Sequence, residues 1–456
     1  MEKKNTWETY SSKQLKELEK INAQYRDFLD NGKTERECID TIVNTIEKSG
    51  YRELESLIKE GTALKTGDKV YSVWMNKSIA MFQIGRKPMT EGMNILGAHI
   101  DSPRLDVKQN PLYEADELAF LKTHYYGGLR KYQWVTIPLE LHGVVALKSG
   151  QVVRVSVGNG EGDPLFTVDD LLPHLGAEQS RKPLGEAIPA ESLNILVGSR
   201  PLADDEGSDR VKLSILELLN RKYGIVEEDF ISAELSAVPA FRASDVGFDR
   251  SLIGAYGHDD RVCAYASLAA ILQLNDPERT AVCMLADKEE IGSEGVTGMK
   301  SAAFDTFMED LCQSQNVPLR ACYERSFCLS ADVTAAYDPN FAEVYEKRNS
   351  ALVNCGMGLC KYTGARGKSG ASDASAELVA YVRGVLDRAD VVWQMAELGK
   401  VDAGGGGTVA MFMAERNIDT LDAGVPVLSM HSPFETVGKL DCYMTFKGVK
   451  AIYEAK

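Results

Sequence analysis

The run Thr280–Gly295, TAVCMLADKEEIGSEG, sets an apolar stretch directly against a charged one. TAVCMLA has the length and composition of a buried strand. A strand through a protein interior that ends on two adjacent glutamates, Glu289 and Glu290, needs a reason. A solvated turn is the ordinary one. A ligand-binding crevice at the ends of sheet strands is the sharper one, and the rest of the chain decides between them.

Working outward from that run, the chain after Asp245 alternates strand-like and helical segments. SFCLSA and VPVLSM read as further strands, and DDRVCAYASLAAILQL and DASAELVAYVRGVLDRA as helices. Such alternation predicts an α/β fold. Toward the N-terminus, NILGAHID (residues 94–101) reads as a strand running into a turn. Before it lie two helices. Leu15, Leu18, Ile21, Tyr25 and Phe28 recur at helical spacing, and a Thr34-x-x-Glu37 capping box precedes Ile39, Ile42, Val43 and Ile46, with Gly50 as the stop.

Between these α/β parts the texture differs. Val135, Ile137, Leu139 and Leu141 alternate with other residues, LKSGQVVRVSV predicts a hairpin around Ser149-Gly150, and DRVKLSILELLNRKYG predicts one helix stopped by Gly224. The organisation expected is a discontinuous catalytic domain, residues 1–105 and 246–456, interrupted by an inserted β-rich domain, residues 106–245. A length of 456 residues accommodates this at about 150 residues per domain. The tetraglycine Gly404–Gly407 brings backbone close to another element or to a ligand.

Composition narrows the function classes. The chain is 44% hydrophobic and 26% charged, ordinary for a soluble globular protein, and its net charge of −16 argues against a phosphate-backbone partner. No window approaches the ~18 apolar residues of a membrane span, and the charged N-terminus lacks a secretory h-region. Nine cysteines without a C-x-x-C pair read as buried free thiols in a reducing compartment, so a cytoplasmic location is expected.

Ligand-type residues follow the strand-like runs. His99 and Asp101 form an H-x-D after NILGA, Asp259 and Asp260 precede a helix, Glu289-Glu290 follow AVCMLA, Asp332 follows SFCLSA, and His431 follows VPVLSM. Singly, each has a structural reading: a hydrogen-bonded histidine, a helix N-cap at Asp259, a turn aspartate, a solvated pair of glutamates. Jointly they point to metal chemistry, because two of only six histidines stand after strand-like runs beside acids. Asp259, Glu290 and Asp332 supply three negative charges against two divalent cations, which removes the cost of crowding carboxylates in a crevice. Neighbouring side chains diverge, so Glu290 is expected to bind metal while Glu289 serves as general base. Asp101 is placed to orient His99.

At these residues the chain resembles the M18 metallo-aminopeptidases. The matching stretches are GAHIDSPRLDVK, YGHDDRVCA, DKEEIGSEG, SADVTAAYDPNF and VPVLSMHSPFE, in order across residues 97–435. The resemblance implies a zinc-peptidase-like domain with a mixed central sheet flanked by helices. It implies two divalent ions, normally Zn2+: one held by His99, Asp259 and Asp332, the other by Asp259, Glu290 and His431, with Asp259 bridging. Mn2+ and Co2+ also suit such donors. Glu289 matches the family's base and Asp101 the residue supporting His99. The inserted domain is implied to mediate dimerisation, and the dimers to assemble into a dodecamer.

Two substrate-binding assignments stay open. His174, in DLLPHLGAEQ, resembles a position near a histidine that reaches a neighbouring subunit's site; a structural histidine at a helix start is the other reading. Arg366 and Lys368, in YTGARGKSGASD, either bind an acidic substrate side chain or are solvated loop charges. The function expected is hydrolysis of N-terminal residues from peptides. The competing readings are another two-metal amidohydrolase (dipeptidase, carboxypeptidase or deacylase) and a non-catalytic assembly protein of the same fold.

Overall fold

In the computed structural model, which describes residues 5–203 and 207–456, the run Thr280–Ala286 is a central strand. Ala281, Cys283 and Leu285 join one buried cluster, while Val282, Met284 and Ala286 join another. Successive strand side chains point to opposite faces, so a strand covered on both must be apolar throughout. The neighbouring strand Met93–His99 divides likewise, Leu96 and Ala98 to one side and Met93 and Ile95 to the other.

Nine strands form this sheet. Their order is Arg52–Glu53, Lys69–Trp74, Ser78–Gln83, Thr280–Ala286, Met93–His99, Phe327–Ser330, Asp419–Gly424, Met357–Cys360 and Trp393–Met395. The central four are parallel and antiparallel partners flank them, so the sheet is mixed. Helices Ser12–Asn31, His258–Ile271, Ala376–Arg388 and Lys439–Tyr453 feed one cluster; Leu54–Lys59, Ala303–Ser314 and Ala410–Ala414 feed the other. Helices on both faces of a mixed sheet make the α/β class plain.

Local chemistry sets the helix ends. Ser11 and Thr34 each cap a helix in a reciprocal box, with Gln14 and Glu37 respectively. Asn94 is the second residue of its strand, and its side-chain amide donates to the carbonyls of Ile452, Tyr453 and Ala455, at the end of the last helix and just beyond it. Gly224, at φ 73°, stops the helix Arg210–Tyr223.

By contacts the chain divides into two compact units: Met1–Asp101 with Ala243–Met430 and Glu435–Lys456, and Ser102–Arg242 with His431–Phe434. The second unit holds an antiparallel seven-stranded sheet, in which Leu139–Ala146 and Val152–Val157 make the hairpin around Ser149-Gly150. The alternation from Val135 does not start a strand there. Thr136 sits at φ 59° and Pro138 has no N–H to give a ladder, so the strand begins at Leu139. The first unit has a further five-stranded sheet, and VPVLSM contributes only Pro426–Leu428, to that sheet. The place beside the Phe327–Ser330 strand is taken by Asp419–Gly424.

Among the described residues no helix is long and apolar enough to cross a membrane. All nine cysteines are buried and unpaired by disulfides.

Candidate metal centre

Parallel register brings distant residues to one level. His99 ends its strand opposite Ala286, and Gly97 lies opposite both Met284 and Ser330. Asp332 therefore emerges beside His99 on one side. On the other, the chain beyond Ala286 turns at Lys288 (φ 66°) into a single helical turn, Glu289–Ile291. The carboxyl ends of parallel strands line the crevice where ligands bind in such sheets.

His99 is buried, and its two ring nitrogens have different surroundings. Nδ1 lies 3.1 Å from the Asp101 carbonyl oxygen and 3.2 Å from Asp101 Oδ1. Both are acceptors, so Nδ1 carries the proton. Nε2 faces Asp259 Oδ1 at 3.1 Å, Asp332 Oδ1 at 3.8 Å and Glu289 Oε2 at 3.9 Å. The Asp101 carboxylate also accepts the backbone N–H groups of Glu289 (3.1 Å) and Glu290 (3.2 Å). One side chain thus ties the histidine to the glutamate turn.

Asp259 comes from the start of the helix His258–Ile271. Its capping place belongs to Gly257, at φ 78°, and Asp259 and Asp260 both depart from helical dihedrals. Asp259 donates its N–H to Glu435 Oε2 at 3.1 Å, and Asp260 Oδ2 accepts the His99 N–H at 3.3 Å. Beside them, His258 Nε2 lies 3.1 Å from the Ile253 carbonyl and Nδ1 lies 2.6 Å from the Tyr25 hydroxyl. Burial holds the His258 ring neutral, its pKa lowered to about 3. Arg261, fully buried, donates to the Ile100 carbonyl at 3.2 Å and so fixes the link between His99 and Asp101. Glu435, Tyr25 and Arg261 give no sign in the sequence of a place at the site, because only the folded chain brings them here.

The donor set suits a cation. His99, Asp259 and Glu290 can each offer an atom within 4.8 Å of the others, and so can His99, Glu289 and Asp332. Burial, together with Asp260, Glu289 and Asp259, pushes the Asp332 carboxyl well above its ordinary range. Burial alone would lower His99, yet Asp101 and Asp259 lift it well above the usual imidazole value. Several carboxylates share this space with one imidazole, and oxygen donors with one imidazole match zinc-type ions.

The remaining expected residues are His431, His174 and Lys368. His431, at φ 65°, groups by contacts with Ser102–Arg242, and its Nδ1 lies 2.9 Å from the Gly128 carbonyl, which makes Nε2 its acceptor nitrogen. Neither donor triad includes it. His174 is exposed in a turn. Lys368 is exposed, 3.4 Å from Asp373 Oδ1 and over the Tyr362 ring. His142 pairs with Glu140 at 2.9 Å, both buried.

A family model described as aminopeptidase I zinc metalloprotease (M18) matches residues 28–453. The chain belongs to the M18 family. It is 51% identical over 454 residues to a probable M18 family aminopeptidase 1 of Clostridium acetobutylicum, covering 99% of this chain and 98% of that one. Among solved structures, an M18 aminopeptidase from Thermotoga maritima superposes with a TM-score of 0.95 at 43% identity, covering 100% of this chain and 99% of that one. Aminopeptidase I from Clostridium acetobutylicum gives a TM-score of 0.94 at 48% identity, with both chains fully covered. As an M18 member the chain is a metallo-aminopeptidase, and the His/Asp/Glu cluster around His99 fits the zinc of the family description.

Proposed function

We propose that this M18 chain releases single residues from peptide N-termini by means of two divalent ions, with Glu289 as general base. His99, Asp259 and Asp332 would hold one ion, and Asp259, Glu290 and His431 the other. The observation that carries the reading is the group of carboxylates facing His99 Nε2, with Asp259 at 3.1 Å, Asp332 at 3.8 Å and Glu289 at 3.9 Å. Zinc bound there supplies Lewis acidity toward the scissile carbonyl and makes a water acidic enough to attack near neutral pH.

The chain's own residues do the rest. Asp101 keeps His99 in the tautomer that presents Nε2, and its two backbone hydrogen bonds hold the Glu289 turn against the cluster. Glu289 takes a proton from the attacking water and passes it to the leaving amine as the C–N bond breaks. Acidic groups of the crevice favour the substrate's charged α-amine. Residues 106–245 are proposed as the dimerisation region. A dodecamer is the assembly named for S. cerevisiae mApe1, which shares the fold at 20% identity and a TM-score of 0.78; this chain is proposed to assemble likewise.

The test is a panel of aminoacyl-anilides and N-blocked peptides, run after chelation and re-addition of single metals. Cleavage of free-amine substrates only, restored by zinc, is expected. Cleavage of blocked substrates only would move the chain to the carboxypeptidases or deacylases.

A further inference from the structure

We infer that Tyr25, on the N-terminal helix Ser12–Asn31, is a positioning residue that aims the Asp259 carboxylate by way of His258. The inference rests on Asp259 being a zinc ligand, and it assigns the N-terminal helix a part in the site.

The backbone that carries Asp259 is not oriented by helix geometry. Gly257 is left-handed, and Asp259 has φ −80° and ψ 107° although it lies within the first turn. Side-chain hydrogen bonds hold the backbone here at two points, Asp259 itself and the adjacent His258. On one side Glu435 accepts the Asp259 N–H at 3.1 Å. On the other, the adjacent residue His258 is fixed at both ring nitrogens. The Ile253 carbonyl, 3.1 Å from Nε2, can only accept, so Nε2 bears the proton. Nδ1 is then an acceptor, and the Tyr25 hydroxyl at 2.6 Å must be its donor. Neither ring can turn without breaking a buried hydrogen bond. Tyr25 is held in its turn by the His258 and Tyr265 rings, at centroid distances of 5.7 and 5.5 Å. Between these braces, Asp259 Oδ1 meets His99 Nε2 at 3.1 Å.

Tyr25→Phe keeps the ring and deletes only the donor. On the full-length chain, zinc affinity is measured by competition with a chromogenic chelator, zinc alone being the probe. Tyr25→Phe is expected to weaken zinc binding about tenfold or more, with excess zinc restoring kcat. Tyr265→Phe, in the same ring stack, is expected to bind as the parent does. His258→Asn should show a similar loss, and the double variant no more than either single one, because both act through one connection. Parent-like zinc affinity in Tyr25→Phe, or losses that simply add, would overturn the inference. A parent chain that binds no zinc would overturn the metal centre instead, so the two failures are distinguishable.

Discussion

Asp101 Oδ1 stands 3.2 Å from His99 Nδ1, and the same carboxylate receives the backbone N–H groups of Glu289 and Glu290. A strand end and a turn nearly two hundred residues later are thereby built as one piece. The carboxylate suits the task because it accepts at both oxygens and donates at neither.

Asp101→Asn tests that demand. One oxygen becomes an NH2 group, which must face a donor in place of an acceptor. Zinc affinity should fall roughly 10–100-fold, as when a supporting partner of a ligating histidine is lost. Chelator competition reads the change, and parent-like affinity would show that Asp101 does not hold the site together.

Glu289→Gln separates binding from catalysis. The amide has the glutamate's size but takes no proton, so zinc stoichiometry should be unchanged while kcat falls roughly 10²–10⁴-fold. Full turnover in this variant would place the base elsewhere.

What was legible in the sequence follows from where the information lies. His99, Glu289, Glu290 and Asp332 sit at the ends of apolar runs, and a buried strand that stops on a charge is a local signal. The Thr34–Glu37 capping box was legible for the same reason. Tyr25 reads only as an apolar position on a helix, and its partner His258 only as the neighbour of Asp259. Their meeting is tertiary and leaves no mark at short range. The central strand Asp419–Gly424, DTLDAG, carries two aspartates and so lacks an apolar pattern, whereas VPVLSM has the pattern but joins the smaller sheet.

One of those aspartates, Asp422, predicts a pH effect on stability. It is buried, accepts from the Thr408 hydroxyl at 2.7 Å, and burial raises its pKa to about 6. The folded chain therefore binds this proton more tightly than the unfolded chain does. The contribution to stability is complete below the ordinary carboxyl value near 4 and is lost as pH rises through about 6. Its size is on the order of 3 kcal/mol. Asp422→Asn should flatten the fall in unfolding free energy between pH 4 and 7, followed by urea titration at each pH. An unchanged slope would mean that other groups carry it.

Gly424, at the end of the same strand, bears on the site through space alone. A Cβ there would stand 1.9 Å from the Asp332 carbonyl oxygen, 2.6 Å from its carbon and 2.9 Å from Cys263 Sγ. Two of these atoms are backbone and cannot swing aside, so Gly424→Ala must displace the Asp332 segment or its own strand. Overpacking of this kind costs about 1–3 kcal/mol. The loss should be accompanied by zinc binding at least about tenfold weaker, since Asp332 is a proposed ligand. Gly407→Ala is the control, because a Cβ there meets nothing within 4 Å. If Gly424→Ala unfolds earlier yet binds zinc like the parent, the strand is merely crowded and Asp332 is not held in place by its fit against Gly424.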